Sequence, residues 1–600
     1  MAKGSRKVAQ AARREQPGGR DWRIALILLA ALAVYANSLS GPFVFDDRGT
    51  IVDNRTIEDL FSPEVLSAPR ETPTAGRPVV NASFALNHAF GGRGVTGYHV
   101  VNIAIHAMCA LAIYGLVRRS ATTRIAFAVA LLWAVHPLNS EAVNYVTQRT
   151  ESLMALFYLL TIYCAIRAHD ARQRPRWTVL AIVACALGMA SKESMATAPL
   201  MVMLYDRVFL FASWRDALRA RGRLYAGLAA TWLVLAAVMW NAPRGLSAGF
   251  AAHDADVWTY MLNQSVMIVR YLWLAVWPRD LVLYYGWPLR LTVPDVFPQA
   301  IFVLALVGAA AVALWRWPRM GFLGAWFFVM LAPTSSIVPI ATEVGAERRM
   351  YLASIAVIAL AVLLWRRLVP SDRAGAVALA SVALLLAAGT VARNRDYRSS
   401  LRLAQTTHER WPTSGSASMY GTELAAAGRL DEAERHLRAA APVHPPAAYF
   451  LGTVLAAQGK RAEAIDEFRA YIATQPGELD QVHLARALLA DALTRERRPE
   501  EAAAVYREML AVRPQDADAS RLLAQILLSQ EKYQDAAAHY RAALAVNPND
   551  VPSLGGLGIA LASSGQLEEA IKAFQRAADL DPGNPHTQQN LQRALAMRRR

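Results

Sequence analysis

The sequence predicts an all-α protein in which a polytopic helical membrane unit precedes an α-solenoid. Apolar stretches long enough to cross a ~30 Å hydrocarbon core recur through the first 390 residues. The surplus of positive charge is confined to the same part of the chain. From residue 414 a pattern of paired helices repeats toward the C-terminal end.

The composition of the 600 residues, 54% apolar and 18% charged with a mean hydropathy of +0.21, excludes a disordered chain and argues against an ordinary soluble enzyme. A net charge of +16 and a pI near 9.9 could suggest a nucleic-acid partner. The distribution of charge excludes one. Residues 401–600 hold 23 Lys or Arg against 24 Asp or Glu, a net of −1, so residues 1–400 carry +17. Basic surplus in the apolar part belongs to a membrane protein.

Residues 1–21 form a basic cytoplasmic tail that runs into IALILLAALAVYA. The Tyr35-Ala36-Asn37 sequence is a poor cleavage site, which predicts a retained signal anchor. The membrane unit covers 22–395, with spans near 22–40, 98–117, 124–137, 151–168, 176–190, 194–211, 223–241, 299–315, 319–338, 350–366 and 374–391. With the N-terminus inside, the cytoplasmic segments collect 24 Lys or Arg, against 13 in the longer outer loops up to residue 349. The apolar stretch 259–277 would break this alternation and carries Arg270 in its middle, so it is expected to be an interfacial or re-entrant helix on the outer side. Eleven spans then leave the C-terminus outside. Cys109, Cys164 and Cys185 lie in apolar runs without ligand spacing and read as buried small hydrophobes.

The repeat unit covers 414–583 and is followed by a terminal helix or tail at 584–600. Ala433, Ala464, Ala502, Ala536 and Ala570 mark the close-approach position of a second helix, and Leu437, Phe468, Tyr506, Tyr540 and Phe574 follow four residues later. Pro445, Pro476, Pro514, Pro548 and Pro582 are expected to close the five units. The last three are spaced by 34 residues, the tetratricopeptide period, while earlier spacings of 31 and 38 imply altered loops. Five units meet the need of such repeats to stack.

Polar residues at the outer face carry the candidate chemistry. The first outer loop, 41–97, contains Asp46-Asp47 after Phe43-Val44-Phe45. An isolated acidic pair is most often a solvated turn; the sharper reading is a general base or cation ligand at the membrane surface. HPLNSEAVNYVTQRTES supplies His136, Glu141, Arg149 and Glu151, ASKES supplies Lys192 and Glu193, and GAERRMYL supplies Glu347, Arg348 and Arg349. Each could be an interfacial ion pair. Yet Lys192, Arg348 and Arg349 lie on the side the positive-inside rule disfavours, and cations kept there suggest a site for a lipid phosphate. His106 reads as a core histidine.

FVFDDRGTIVDN, GRPVVNASFALNHAFGGRGVTGYHVVNIAIH, HPLNSEAVNYVTQRTESLMALFYL, SKE and AERRMYL, in this order, resemble the blocks of the membrane O-mannosyltransferases that combine transmembrane spans with tetratricopeptide repeats. The resemblance covers essentially the whole chain. It implies a GT-C glycosyltransferase fold, a polyprenyl-phosphate-linked sugar as donor and transfer to a protein hydroxyl, with Asp46 and Asp47 as the catalytic centre. Arg348, Arg349 and Lys192 are the first candidates for the donor phosphate; His136, Glu141, Arg149, Glu151, Glu193 and Glu347 are supporting residues. Asp46 and Asp47 are also where a divalent cation would bind if one is used. No other cofactor is expected. Asn144-Tyr145 and Gln148 depart from the resemblance, where smaller residues are expected. A protein or peptide acceptor is expected on the repeat unit, outside a membrane of bacterial inner-membrane type. A glycan- or lipid-modifying GT-C transferase and a non-enzymatic repeat scaffold stay open beside this reading. A transporter is less attractive, since the spans show no internal duplication.

Overall fold

A computed structural model of the chain describes residues 21–69, 72–170, 174–241, 256–336, 338–340, 342–475 and 480–599. The basic tail 1–20 and Pro476 lie outside the described residues. The chain divides into two compact units, Met1–Ser416 and Ala417–Arg600.

The first unit is built from α1 (Trp22–Tyr35), α2 (Pro78–Gly91), α3 (Val95–Ser120), α4 (Thr123–Ala134), the short α5 (Ser140–Asn144), α6 (Arg149–Asp170), α7 (Arg174–Met189) and α8 (Ala198–Tyr205). It continues through α9 (Trp214–Asn241), α10 (Val257–Val276), α11 (Val293–Arg316), α12 (Pro318–Leu331), α13 (Met350–Leu368), α14 (Asp372–Asn394) and α15 (Ser400–Arg410). Each predicted span falls on one of these helices, the 194–211 span on α8 and the π-helical turn Asp206–Leu210 that extends it. Among the described residues six helices are long and apolar enough to cross a membrane, and a seventh span results if Thr123–Ala134 and Pro137–Asn144, bent by 55°, count as one. The protein is an integral membrane protein with an all-helical membrane unit. The stretch expected at the interface is α10, whose Arg270 donates to the Asp280 carbonyl at 3.0 Å instead of facing lipid.

A buried knot holds α3, α4 and α13 in register. His106 is stacked on Trp133 at 4.7 Å, hydrogen-bonds the Tyr351 hydroxyl at 2.7 Å and reaches the Ala134 carbonyl at 2.9 Å. Trp133 Nε1 donates to the Tyr351 carbonyl at 2.8 Å. His106 is the core histidine the sequence suggests. Tyr351 lies two residues after Arg349, so this knot also fixes where the Glu347–Arg349 turn stands. A second set of bonds joins Asn394 to Val34, Asn37 and Asn144 at 2.7–2.8 Å, tying α14 to the ends of α1 and α5. All three cysteines are buried.

The second unit is five antiparallel helix pairs: α16 (Ser414–Ala426) with α17 (Leu430–Ala440), α18 (Pro445–Ala457) with α19 (Arg461–Thr474), and α20 (Asp480–Arg495) with α21 (Pro499–Val512). They continue with α22 (Ala517–Ser529), α23 (Tyr533–Val546), α24 (Val551–Ser563) and α25 (Leu567–Leu580), and a terminal α26 (Pro585–Arg598). The predicted alanine and its large partner are buried in every pair. In the second and fifth pairs a glycine on the first helix makes the space for the ring: a Cβ on Gly452 would stand 2.7 Å from Phe468, and one on Gly558 would stand 2.5 Å from Phe574. Pro514, Pro548 and Pro582 follow their second helices by two residues, as expected. Pro445 does not close its unit. The α17 helix stops at Ala440, and Pro445 opens α18, a first-turn position where its missing N–H is no loss.

Candidate functional site

The loop after α1 places the acidic pair by backbone strain and by hydrogen bonds from one distant turn. Phe45 takes a left-handed φ of 45°, uncommon for a bulky residue, and Arg48–Val52 winds as a π-helix. Asp47 is fully buried. Its Oδ1 accepts from the Thr147 N–H and hydroxyl, both at 2.6 Å, and its Oδ2 accepts from the Val44 N–H at 3.0 Å. Burial pushes the Asp47 carboxyl up to about 7; the Asp46 charge adds to this, while the Thr147 and Val44 bonds oppose it. Asp46, in contrast, is exposed. The Tyr145 hydroxyl accepts from its N–H at 3.0 Å. Although the residue is accessible, the packed surroundings of the Asp46 carboxyl raise it, the Tyr145 hydroxyl and Arg348 draw it back, and Glu343 raises it further. Adjacent carboxylates therefore have different surroundings. One is anchored and one is open.

Arg348 reaches this neighbourhood from the N-terminal edge of α13. Its Nη1 donates to Glu141 Oε1 at 2.5 Å, its main-chain N–H donates to Glu141 Oε2 at 2.9 Å, and its Nη2 donates to Glu343 Oε2 at 2.5 Å. Arg349 is braced from the other side, donating to Tyr260, Ser335 and the carbonyls of Thr334, Glu343 and Val344, and its Nη2 also stands 3.6 Å from Glu343 Oε1. Lys192 pairs with Glu151 at 2.5 Å, and Glu193 takes Arg77 on both oxygens at 3.0 and 3.1 Å. The Lys192 ammonium also feels Arg77, Glu193 and Arg348, so these pairs form one field of alternating charge.

Three predicted supporting residues make their hydrogen bonds outside this cluster, although the Arg149 guanidinium still interacts electrostatically with Asp47. His136 accepts from the Leu138 N–H at 3.2 Å and bonds the Ala275 carbonyl at 3.2 Å, fastening the α4–α5 break to α10. Arg149 donates to Asn102 and Asn87 at 2.7 Å and to the carbonyls of Ser83 and Tyr98 at 3.1 Å, with its guanidinium 4.5 Å from the Phe84 ring. It joins α2, α3 and α6. Glu347 accepts from the Val282 N–H at 2.5 Å and from the Tyr285 hydroxyl at 3.3 Å, holding the segment after α10. Conversely, Tyr145, Thr147, Glu343 and Arg77 join the site without having been singled out for it. Tyr145 belongs to the departure from the family blocks, and that departure was the available signal. Among the described residues no group of three or more His, Cys, Asp or Glu converges as a metal ion would need.

This fold and site define a polytopic membrane protein that sets an accessible carboxylate against paired arginine and lysine and carries a tetratricopeptide unit. Residues 72–240 match the family model described as dolichyl-phosphate-mannose-protein mannosyltransferase, and 418–478, 487–551 and 527–585 match a tetratricopeptide-repeat model. The chain is 24% identical over 519 residues to protein O-mannosyl-transferase Tmtc1 of Drosophila melanogaster, covering 68% of this chain and 60% of that protein. It is 31% identical over 202 residues to protein O-mannosyl-transferase TMTC4 of Homo sapiens, covering 29% and 27%. It is 28% identical over 194 residues to protein O-mannosyl-transferase F38B6.6 of Caenorhabditis elegans, covering 30% and 27%. The match therefore spans less than two thirds of each relative's length. Among solved structures, YrrB, described as a TPR protein with an unusual peptide-binding site, is 16% identical over 31% of this chain and 96% of its own, with a TM-score of 0.29. The resemblance read from the sequence blocks is borne out. The acidic pair precedes the 72–240 match, Tyr145, Lys192 and their partners fall within it, and Arg348 follows it.

Proposed function

We propose that this protein is a membrane glycosyltransferase that moves a mannose-like sugar from a polyprenyl-phosphate donor to hydroxyl groups of exported proteins. The observation that carries the reading is that one short segment serves both ends of the membrane unit: Tyr145 bonds the Asp46 main chain at 3.0 Å, and Glu141, four residues earlier, bonds Arg348 at 2.5 Å. A carboxylate beside a cation is what a single displacement at an anomeric carbon uses. Asp46 takes the acceptor hydroxyl proton as the oxygen bonds to the anomeric carbon. The bond from that carbon to the phosphate oxygen breaks, and the polyprenyl phosphate departs as an anion that Arg348 stabilises, with Lys192 behind it. Asp46 is the base because it is open. Asp47, with both oxygens engaged, is a positioning residue.

The loop charges support a cytoplasmic N-terminus and an external repeat unit, and the Ala- and Arg-rich composition supports a membrane of bacterial inner-membrane type; on this reading the repeats recruit the acceptor. Transfer from a polyprenyl-phosphate mannose to a Ser/Thr peptide, measured with the purified full chain in lipid, tests the reading. Asp46→Asn should lower transfer by roughly 100-fold or more, the usual range for a lost general base. Full activity in that variant sinks the assignment.

A further inference from the structure

Arg348 is held between two carboxylates that differ in kind. Glu141 is completely buried and grips both the guanidinium and the main-chain N–H of Arg348, at 2.5 and 2.9 Å. Such a partner fixes the residue in place. Glu343 has a side chain 16% exposed and touches Arg348 through Oε2 alone, at 2.5 Å. Its Oε1 stands 3.6 Å from Arg349 Nη2, and among the described residues this buried oxygen accepts no hydrogen bond. A carboxylate between two guanidinium groups, with one oxygen bonded and the other left over, presents the geometry in which a phosphate would be held by the same two arginines.

We propose that Glu343 is a displaceable counter-anion, occupying the place on Arg348 and Arg349 that a prenyl phosphate takes over and thereby setting how tightly the site holds that anion. This rests on the reading above, that Arg348 receives the donor phosphate. Charge balance favours exchange over addition. Arg348 and Arg349 carry two positive charges against the two negative charges of Glu141 and Glu343, so a phosphodiester that joined them without displacing a carboxylate would leave an excess negative charge in a largely buried cluster. Glu343 is the one to leave. It has a single short bond and some exposure, whereas Glu141 is buried and engages both the main chain and the side chain of Arg348, one through each oxygen. The exchange also reaches the base: Glu343 and Arg348 act on Asp46 with opposite sign, so a phosphate replacing Glu343 keeps the field at Asp46 close to what it was.

The test uses the full chain in lipid nanodiscs with farnesyl phosphate, farnesol and inorganic phosphate as probes. Glu343→Gln should bind farnesyl phosphate roughly tenfold more tightly, the size of one charge-assisted contact no longer competed for, with farnesol binding unchanged. In transfer assays its KM for a polyprenyl-phosphate sugar should fall while kcat changes less. A gain for inorganic phosphate as well as farnesyl phosphate supports a phosphate site irrespective of the lipid; a gain for farnesyl phosphate alone supports one that needs the chain. Unchanged or weaker binding by a folded Glu343→Gln protein overturns the proposal. Should that variant not fold, Glu343→Asp, which draws the charge back by one methylene, must bind farnesyl phosphate more tightly than the wild type, and equal affinity overturns the proposal. Arg348→Gln separates the two layers. If it loses the phosphate while Glu343→Gln gains nothing, only the Glu343 inference fails; if it binds as the wild type does, the reading of the phosphate site fails first.

Discussion

Two neighbouring aspartates divide their work because one turn, Tyr145–Thr147, meets both of them. Thr147 gives Asp47 two donors at 2.6 Å, while Tyr145 accepts from the main chain of Asp46 and leaves that carboxylate accessible. The division has a consequence for stability. The Asp47 carboxyl is raised to about 7, above the ordinary value of 3.8 that it regains on unfolding. Below pH 3.8 both states hold the proton and the group contributes nothing. Between pH 3.8 and 7 the unfolded chain loses the proton and the folded chain keeps it, so this group makes stability fall as pH rises. The full loss, on the order of 4 kcal/mol for a shift of this size, is reached above pH 7. Asp47→Asn removes that slope. Thermal unfolding from pH 5 to 8 should show the wild type losing its advantage over Asp47→Asn as pH rises, and parallel pH dependences would count against a raised Asp47.

At the scale of elements, the repeat unit shows what could be read locally. The helix pairs were legible because Ala502 and Tyr506, or Ala536 and Tyr540, stand four residues apart on one helix face, and the packing they signal is made with helices next to them in sequence. Asp46-Asp47 was legible as a motif, but its partners were not. Thr147 lies 100 residues from Asp47, and Arg348 lies 207 from Glu141, so nothing near Thr147 or Glu343 in sequence marks them. For the same reason the bonds of His136 and Arg149 to distant carbonyls and amides could not be read from their own surroundings in sequence. A further detail separates equivalent turns of the solenoid. Gly428, Gly459 and Gly565 take φ of 77–83° between the helices of their pairs, but Arg497 and Glu531 take φ of 59° and 60° in the same place. A side chain in that region costs about 1–2 kcal/mol, offset in part by the entropy glycine loses on folding. Glu531→Gly should therefore stabilise its pair by about 0.5–1 kcal/mol. Hydrogen exchange over 517–546 in the full chain measures this, and faster exchange in the variant refutes it.

For the whole molecule the open quantity is the parity of the spans. Six helices qualify by length and hydropathy alone, which would return the chain to the side it started from; eleven place the ends on opposite sides. The structure supplies an argument for counting shorter helices. α12 has only 14 residues, yet it turns back directly from α11, and a Cβ on its Gly324 would lie 2.6 Å from Ala310 while one on Gly321 would strike the Leu314 backbone. A helix packed that closely and antiparallel against a 24-residue span, with Trp326 Nε1 bonded to the Leu352 carbonyl of α13 at 2.8 Å, shares their depth in the bilayer. α7 is likewise pressed against α9, with Cys185 3.1 Å from Thr231. Adding α12 and α7, and with them the apolar α1, α4 and α8, to the six gives the eleven expected from the sequence, and that count predicts residues 366–373 inside and the repeats outside. Cysteine labelling can decide, because the three native thiols are buried and give little background. Arg373 and Asp518 are both exposed, on the two sides that are to be distinguished. In intact cells with the outer barrier opened, a membrane-impermeant maleimide should label Asp518→Cys at once and Arg373→Cys only after the membrane is broken. Labelling of Arg373→Cys alone before lysis would put the repeat unit inside, where it could not meet an exported acceptor, and labelling of both would mean that α14 does not cross.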